Sequence, residues 1–70
     1  MYRIELRFAG RTALAEGKYT TPDEAEKAMT QAFATDCFKL EDPHIVLSTP
    51  SIVATYLPAA ALESVSIVEE

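Results

Sequence analysis

The chain has 70 residues, 49% of them hydrophobic, and a formal net charge of −5. That length gives one domain spanning residues 1–70, close to the lower size at which a chain folds without staples, and 2 glycines and 4 prolines exclude collagen-like and low-complexity classes. A single cysteine, Cys37, excludes an internal disulfide framework, and with the single histidine, His44, it falls short of a structural zinc ligand set, so no metal or other cofactor is expected.

Tyr2, Ile4, Leu6 and Phe8 alternate with Arg3, Glu5 and Arg7. Period two with one apolar face predicts a half-buried antiparallel strand and not a signal peptide. Gly10 marks a turn, and "RTALAEGKY" returns as a second strand. Two registers are open. If Gly10 takes the left-handed position of a three-residue loop, Ile4 faces Leu14; if the loop is only Ala9-Gly10, Leu6 and Ile4 face Ala13 and Ala15. The shorter loop needs a positive φ at Ala9, which costs energy, so the three-residue loop is preferred. A slip of one residue exchanges the two faces.

"TTPDEAEKAMTQAFA" is the most legible stretch. Thr21 suits the N-cap, Pro22 the first helical position, and Glu24 completes a capping box. Ala25, Ala28, Met29, Ala32 and Phe33 form the apolar stripe of an amphipathic helix, with Met29 and Phe33 as its bulky anchors. Small residues on that stripe let the helix lie close to a sheet. Cys37, just past the helix, reads as a small apolar residue. Phe38 and Leu40 either add a short strand or tuck into the edge of the core. "HIVLS" and "SIVATYL" are β-branched runs flanking "TPS", the pattern of a hairpin. Pro58 stops the second run, "AAALE" makes about one helical turn, and "SVSIV" forms a last short strand. The expected fold class is α+β: an antiparallel sheet of four to five strands in the order β-β-α-β-β-β, with one helix on one face. The opposite face is expected to be partly wet and to show Tyr19, Tyr56 or Leu57.

Charge is unevenly placed. The six bases all lie at or before Lys39, whereas Glu41, Asp42, Glu63, Glu69 and Glu70 follow with no Lys or Arg. Direct phosphate binding requires the opposite sign, so nucleic acid is not an expected partner. No apolar run reaches the roughly 20 residues that span a bilayer, and the single thiol fits a reducing compartment, so a cytoplasmic location is expected.

A catalytic constellation is missing from the pattern. His44 is the one candidate base; Asp42 stands two residues away with Pro43 between, and no nucleophile is marked beside them. "EGKYTT" lacks the glycine spacing of a phosphate loop. The expectation is a non-enzymatic binding protein, with Glu41, Asp42, Tyr56 and Glu63 as its partner-binding residues.

In layout, the hairpin "YRIELRFAGRTALAEG", the helix "DEAEKAMTQAFA" and the step "ATYLPAAAL" together resemble small phage-encoded anti-CRISPR proteins that act on type I surveillance complexes. The "ESVSIVEE" tail departs from that layout, and no functional residue carries over by position. The resemblance implies a stoichiometric binder that blocks a protein or nucleic-acid surface on its target in the host-cell cytoplasm. The acidic C-terminal half points to a host protein or ribonucleoprotein with a basic surface. The alternative is a structural or adaptor protein acting as a homodimer or within a larger assembly.

Overall fold

The computed structural model describes residues 1–41 and 56–70. Strands β1 (Tyr2–Phe8) and β2 (Arg11–Leu14) form the hairpin, α1 spans Pro22–Thr35, and the short strands β3 (Phe38–Lys39) and β4 (Tyr56–Leu57) pair with each other. A 3₁₀ turn at Ala59–Ala61 leads into β5 (Ser64–Glu69). The class is α+β, with one helix among the described residues. Among the described residues the strands form two antiparallel ladders, one ordered β2-β1-β5 and one pairing β3 with β4. An isolated bridge between Ala15 and Leu40 ties the second ladder to the free side of β2. The runs "HIVLS" and "SIVAT" lie outside the described residues.

The hairpin register corrects the expectation. Phe8 pairs with Arg11 and Leu6 with Ala13, which makes the loop Ala9-Gly10 alone. Both loop residues are left-handed, Ala9 at φ 49° and Gly10 at φ 72°. This is the primed turn whose twist matches a right-twisted strand pair. The local cost at Ala9 is outweighed by what the register does to β2. A three-residue loop would turn Thr12, Leu14 and Glu16 toward the helix, whereas the observed one turns Ala13 and Ala15 there, both buried.

On that side Ile4, Leu6, Phe8, Ala13, Ala15, Phe38 and Leu40 form one buried cluster. Phe38 and Leu40 thus do both things expected of them as alternatives: Phe38 joins a two-residue strand, Leu40 makes the bridge, and both side chains enter the core. Burying a Leu- or Phe-sized side chain contributes about 1.5–3 kcal/mol, so these few positions carry much of a small domain's hydrophobic stabilisation.

Helix α1 starts where the sequence predicts. Thr21 is extended at φ −132°, and its side chain accepts from the Glu24 backbone N–H at 3.2 Å. The return arm of the capping box is displaced by one residue: Glu24 Oε2 accepts from the Thr20 N–H at 3.2 Å and the Thr20 hydroxyl at 2.9 Å. At the other end Asp36 is left-handed at φ 54°, its N–H closes onto Ala32 and Phe33 carbonyls, and its carboxylate accepts from the Ala59 N–H at 2.8 Å. One side chain therefore ties the helix end to the 3₁₀ turn.

The helix is seated on its small residues. Ala25 is fully buried, Ala28, Met29 and Ala32 pack against the core, and Phe33 remains 47% exposed. Phe33 is thus not the bulky anchor the stripe suggests. It sits at the margin, its ring edge-on to Phe38 at 5.1 Å. Tyr19 and Leu57, expected on the wet side, also pack against the core; Tyr56 is the aromatic that does not.

Candidate functional site

Strand alternation sends the neighbours of the core residues to the far side of the sheet. Glu5 stands opposite both Leu14 and Ser66, Arg3 opposite Val68, and Arg7 opposite Thr12 and Ser64. Lys39 pairs with Tyr56 across β3 and β4, and Glu41 donates its N–H to the Leu14 carbonyl at 3.0 Å. These side chains make a polar surface with one aromatic ring on it.

Its centre is Arg3. The residue is only 2% exposed, yet its guanidinium reaches Glu41 at 2.8 Å, Glu70 at 3.0 Å and the Ala15 carbonyl at 3.4 Å. Both carboxylates keep an exposed flank, so the triad is a buried cation held between two half-solvated anions. The hydrogen bond to Glu41 raises the Arg3 pKa above its ordinary value; burial opposes that shift, and the fields of Glu41 and Glu70 add to it. Among the described residues Arg3 Nε has no hydrogen-bond partner. The triad joins the start of the sheet, the end of β5 and the residue that follows Leu40.

The margins are wetter. Lys39 Nζ lies 3.1 Å from Glu16 and 6.0 Å from the centre of the Tyr56 ring. Its pKa is raised, first by the hydrogen bond to Glu16, then by the fields of Glu16 and Tyr56. Tyr56 is 56% exposed, so the ring lies open with a cation near it. At the hairpin end, Glu63 accepts from the Gly10 N–H at 3.0 Å and lies 3.9 Å from Arg7 Nε. Glu63 therefore clasps the turn to the start of β5.

Of the four residues expected to bind a partner, Glu41 and Tyr56 share the far side of the sheet. Glu63 stands at its hairpin end, and Asp42 lies outside the described residues, as does His44. Glu41 pairs with Arg3 at 2.8 Å and Glu63 lies 3.9 Å from Arg7 Nε, and both carboxylates stay about half exposed. Sequence reasoning passed over Arg3, Glu16 and Lys39, because their pairing depends on strand order. The alternation that buries Ile4 was a sign that Arg3 points away from it, and nothing more.

A depression of about 570 Å³ runs along the outer side of α1, lined among the described residues by Asp23, Glu26, Lys27, Thr30, Gln31 and Ala34. These are solvated helix positions spaced three and four apart. No group of three or more His, Cys, Asp or Glu placed to hold a metal occurs among the described residues. No described helix is long and apolar enough to cross a membrane. In comparisons with known proteins, the chain matches no family model, no curated sequence and no solved structure.

Proposed function

We propose that this chain is a small non-catalytic binding module that engages a partner through the sheet surface opposite α1. The observation that carries the reading is Tyr56: a large ring, more than half exposed, set among ion-paired side chains on the side away from the core. Interfaces concentrate their energy in such aromatic anchors surrounded by a polar rim. The exposed Lys39, Glu16 and Glu41 supply that rim, where charges stay partly hydrated and avoid the cost of full burial.

The partner we propose is a host ribonucleoprotein with a basic surface, of the type I CRISPR surveillance class, which the module blocks in the cytoplasm. Support for this comes from the layout resemblance and from the excess of acid after Lys39. Binding of the purified protein to a purified type I surveillance complex tests it directly. The expected result is one-to-one capture that Tyr56→Ala weakens at least tenfold, the usual scale of an aromatic hot spot. No capture at micromolar protein overturns the inhibitor reading, and capture unaffected by Tyr56→Ala overturns the surface assignment.

The half-exposed Phe33 on the helix margin favours a second reading, an adaptor that self-associates or joins an assembly through α1. A strictly monomeric sedimentation profile at high concentration counts against self-association.

A further inference from the structure

The two outer edges of the sheet are unlike. Strand β2 has four residues, and the chain just beyond it carries the Ala15–Leu40 bridge on its outer side. Strand β5 has six residues, pairs with β1 without a break from Ser64–Arg7 to Glu69–Tyr2, and holds no proline, lysine or arginine. Among the described residues β5 therefore lacks the proline, the lysine and the covering strand that blunt many exposed edges, with Glu69 as its one charge. Which of its backbone groups are free follows from the ladder. Glu70 donates to the Met1 carbonyl at 2.8 Å, and hydrogen-bonded pairs alternate along an antiparallel ladder, so Ser64, Ser66 and Val68 direct their backbone toward β1. Val65, Ile67 and Glu69 direct theirs outward, and no described strand lies on that side. The side chains of Val65 and Ile67 are half-buried on the helix side, so their flanks stop at the same edge.

The geometry points to β5 as the place where an extended segment of a partner protein, alternating basic and apolar residues, adds a strand to this sheet. The proposal rests on the binding-module reading and gives it a recognition chemistry. Outward N–H and C=O groups at Val65, Ile67 and Glu69 supply the ladder. Apolar residues of the incoming strand extend the layer that holds Val65 and Ile67, while its bases fall on the side of Ser64, Ser66 and Glu70. Charge selects this occupant. The chain carries a net charge of −5 with no Lys or Arg after Lys39, which favours a basic segment, and a second copy would bring a like net charge.

The test uses the full chain and two synthetic eight-residue peptides, one alternating lysine with valine and one alternating glutamate with valine. Amide hydrogen exchange is followed residue by residue by NMR. The expected result is fast exchange at Val65, Ile67 and Glu69 in the free protein, and protection at those three on adding the lysine peptide but not the glutamate peptide. Ser66→Lys, at an exposed side chain, is expected to weaken the lysine peptide about fivefold by placing like charge opposite like charge. Slow exchange at the three amides in the free protein, equal protection by both peptides, or protection that follows protein concentration alone each overturns the proposal. Tyr56→Ala leaves the peptide result unchanged. Loss of edge protection with surveillance-complex capture intact therefore sinks the strand-addition inference only, and the reverse outcome sinks only the inhibitor.

Discussion

On the helix side of β1, Ile4, Leu6 and Phe8 are almost wholly withdrawn from water; on the far side of the same strand Arg7 stays wet and Arg3 alone is buried. The first side is held by area removed from solvent, a force without direction. The second is held by directed pairs: Arg3 with Glu41 and Glu70, Lys39 with Glu16, Arg7 with Glu63. Of these, the exposed Lys39–Glu16 and Arg7–Glu63 pairs contribute little to stability. Stability therefore lives on one side of the sheet, and the other is free to be shaped for contact.

Adjacent positions on one strand give the sharpest test. Leu6→Ala is expected to cost about 2–5 kcal/mol in urea unfolding, and Glu5→Ala no more than about 0.5 kcal/mol. Similar costs for the two would break the contrast between the sides.

The Arg3 triad is where the polar side comes nearest to bearing structural weight. Replacing both of its anions, Glu41→Gln with Glu70→Gln, leaves a buried guanidinium without a counter-charge and is expected to lose about 1–3 kcal/mol. The same pair of changes at exposed Glu16 and Glu63 should move the unfolding midpoint little. A neutral triad variant would reclassify Arg3 as ordinary surface.

A smaller effect, of opposite sign, comes from the hairpin turn that decides which side of β2 meets the helix. Ala9→Gly relieves a left-handed alanine and is expected to gain about 0.5–1 kcal/mol, less the entropy that glycine brings to the unfolded chain. Thermal unfolding reads it, and a loss instead of a gain would argue for the longer loop.

The smallest expected effect lies at alkaline pH. Hydrogen bonding to Glu69 raises the Tyr2 pKa, and hydrogen bonding to Glu16 raises that of Lys39. In each case folding favours the protonated form, so the contribution is complete below the ordinary phenol or lysine range and is lost as pH rises through the raised value. Midpoints measured upward from neutral pH should fall on that limb, and Tyr2→Phe should flatten part of it. A limb unchanged in both Tyr2→Phe and Lys39→Gln would remove these two groups as its cause.

Much of the scaffold is legible in the residues, because its signals are local. The alternation from Tyr2 to Phe8, the Thr21–Pro22 start of the helix, the stop at Pro58 and the last strand all appear where the pattern puts them. What fails is whatever depends on distant partners. The hairpin register turns on a trade between a strained Ala9 and the identity of the residues β2 lays against the core, and the local term alone points the wrong way. Phe33 fits the apolar stripe, yet the alanines bring α1 down at a position that leaves its ring at the rim. Arg3 looks like any alternating surface base until Glu70 is brought beside it by β5. Of the proposed contact surface, Tyr56 and Glu41 could be named in advance, but their neighbours Lys39, Glu16 and Arg3 could not.

The middle strand of the three-stranded ladder has one neighbour a two-residue turn away and another drawn from the far end of the sequence, with Ile4 set against Ile67. Closing such a span spends chain entropy before any contact returns it, so the sheet assembles slowly for its size. On the ribosome the hairpin and helix emerge early and must wait. The ladder gains its last strand only after residues 64–69 have cleared the exit tunnel, and until then β1 offers an open flank to any strand that reaches it first.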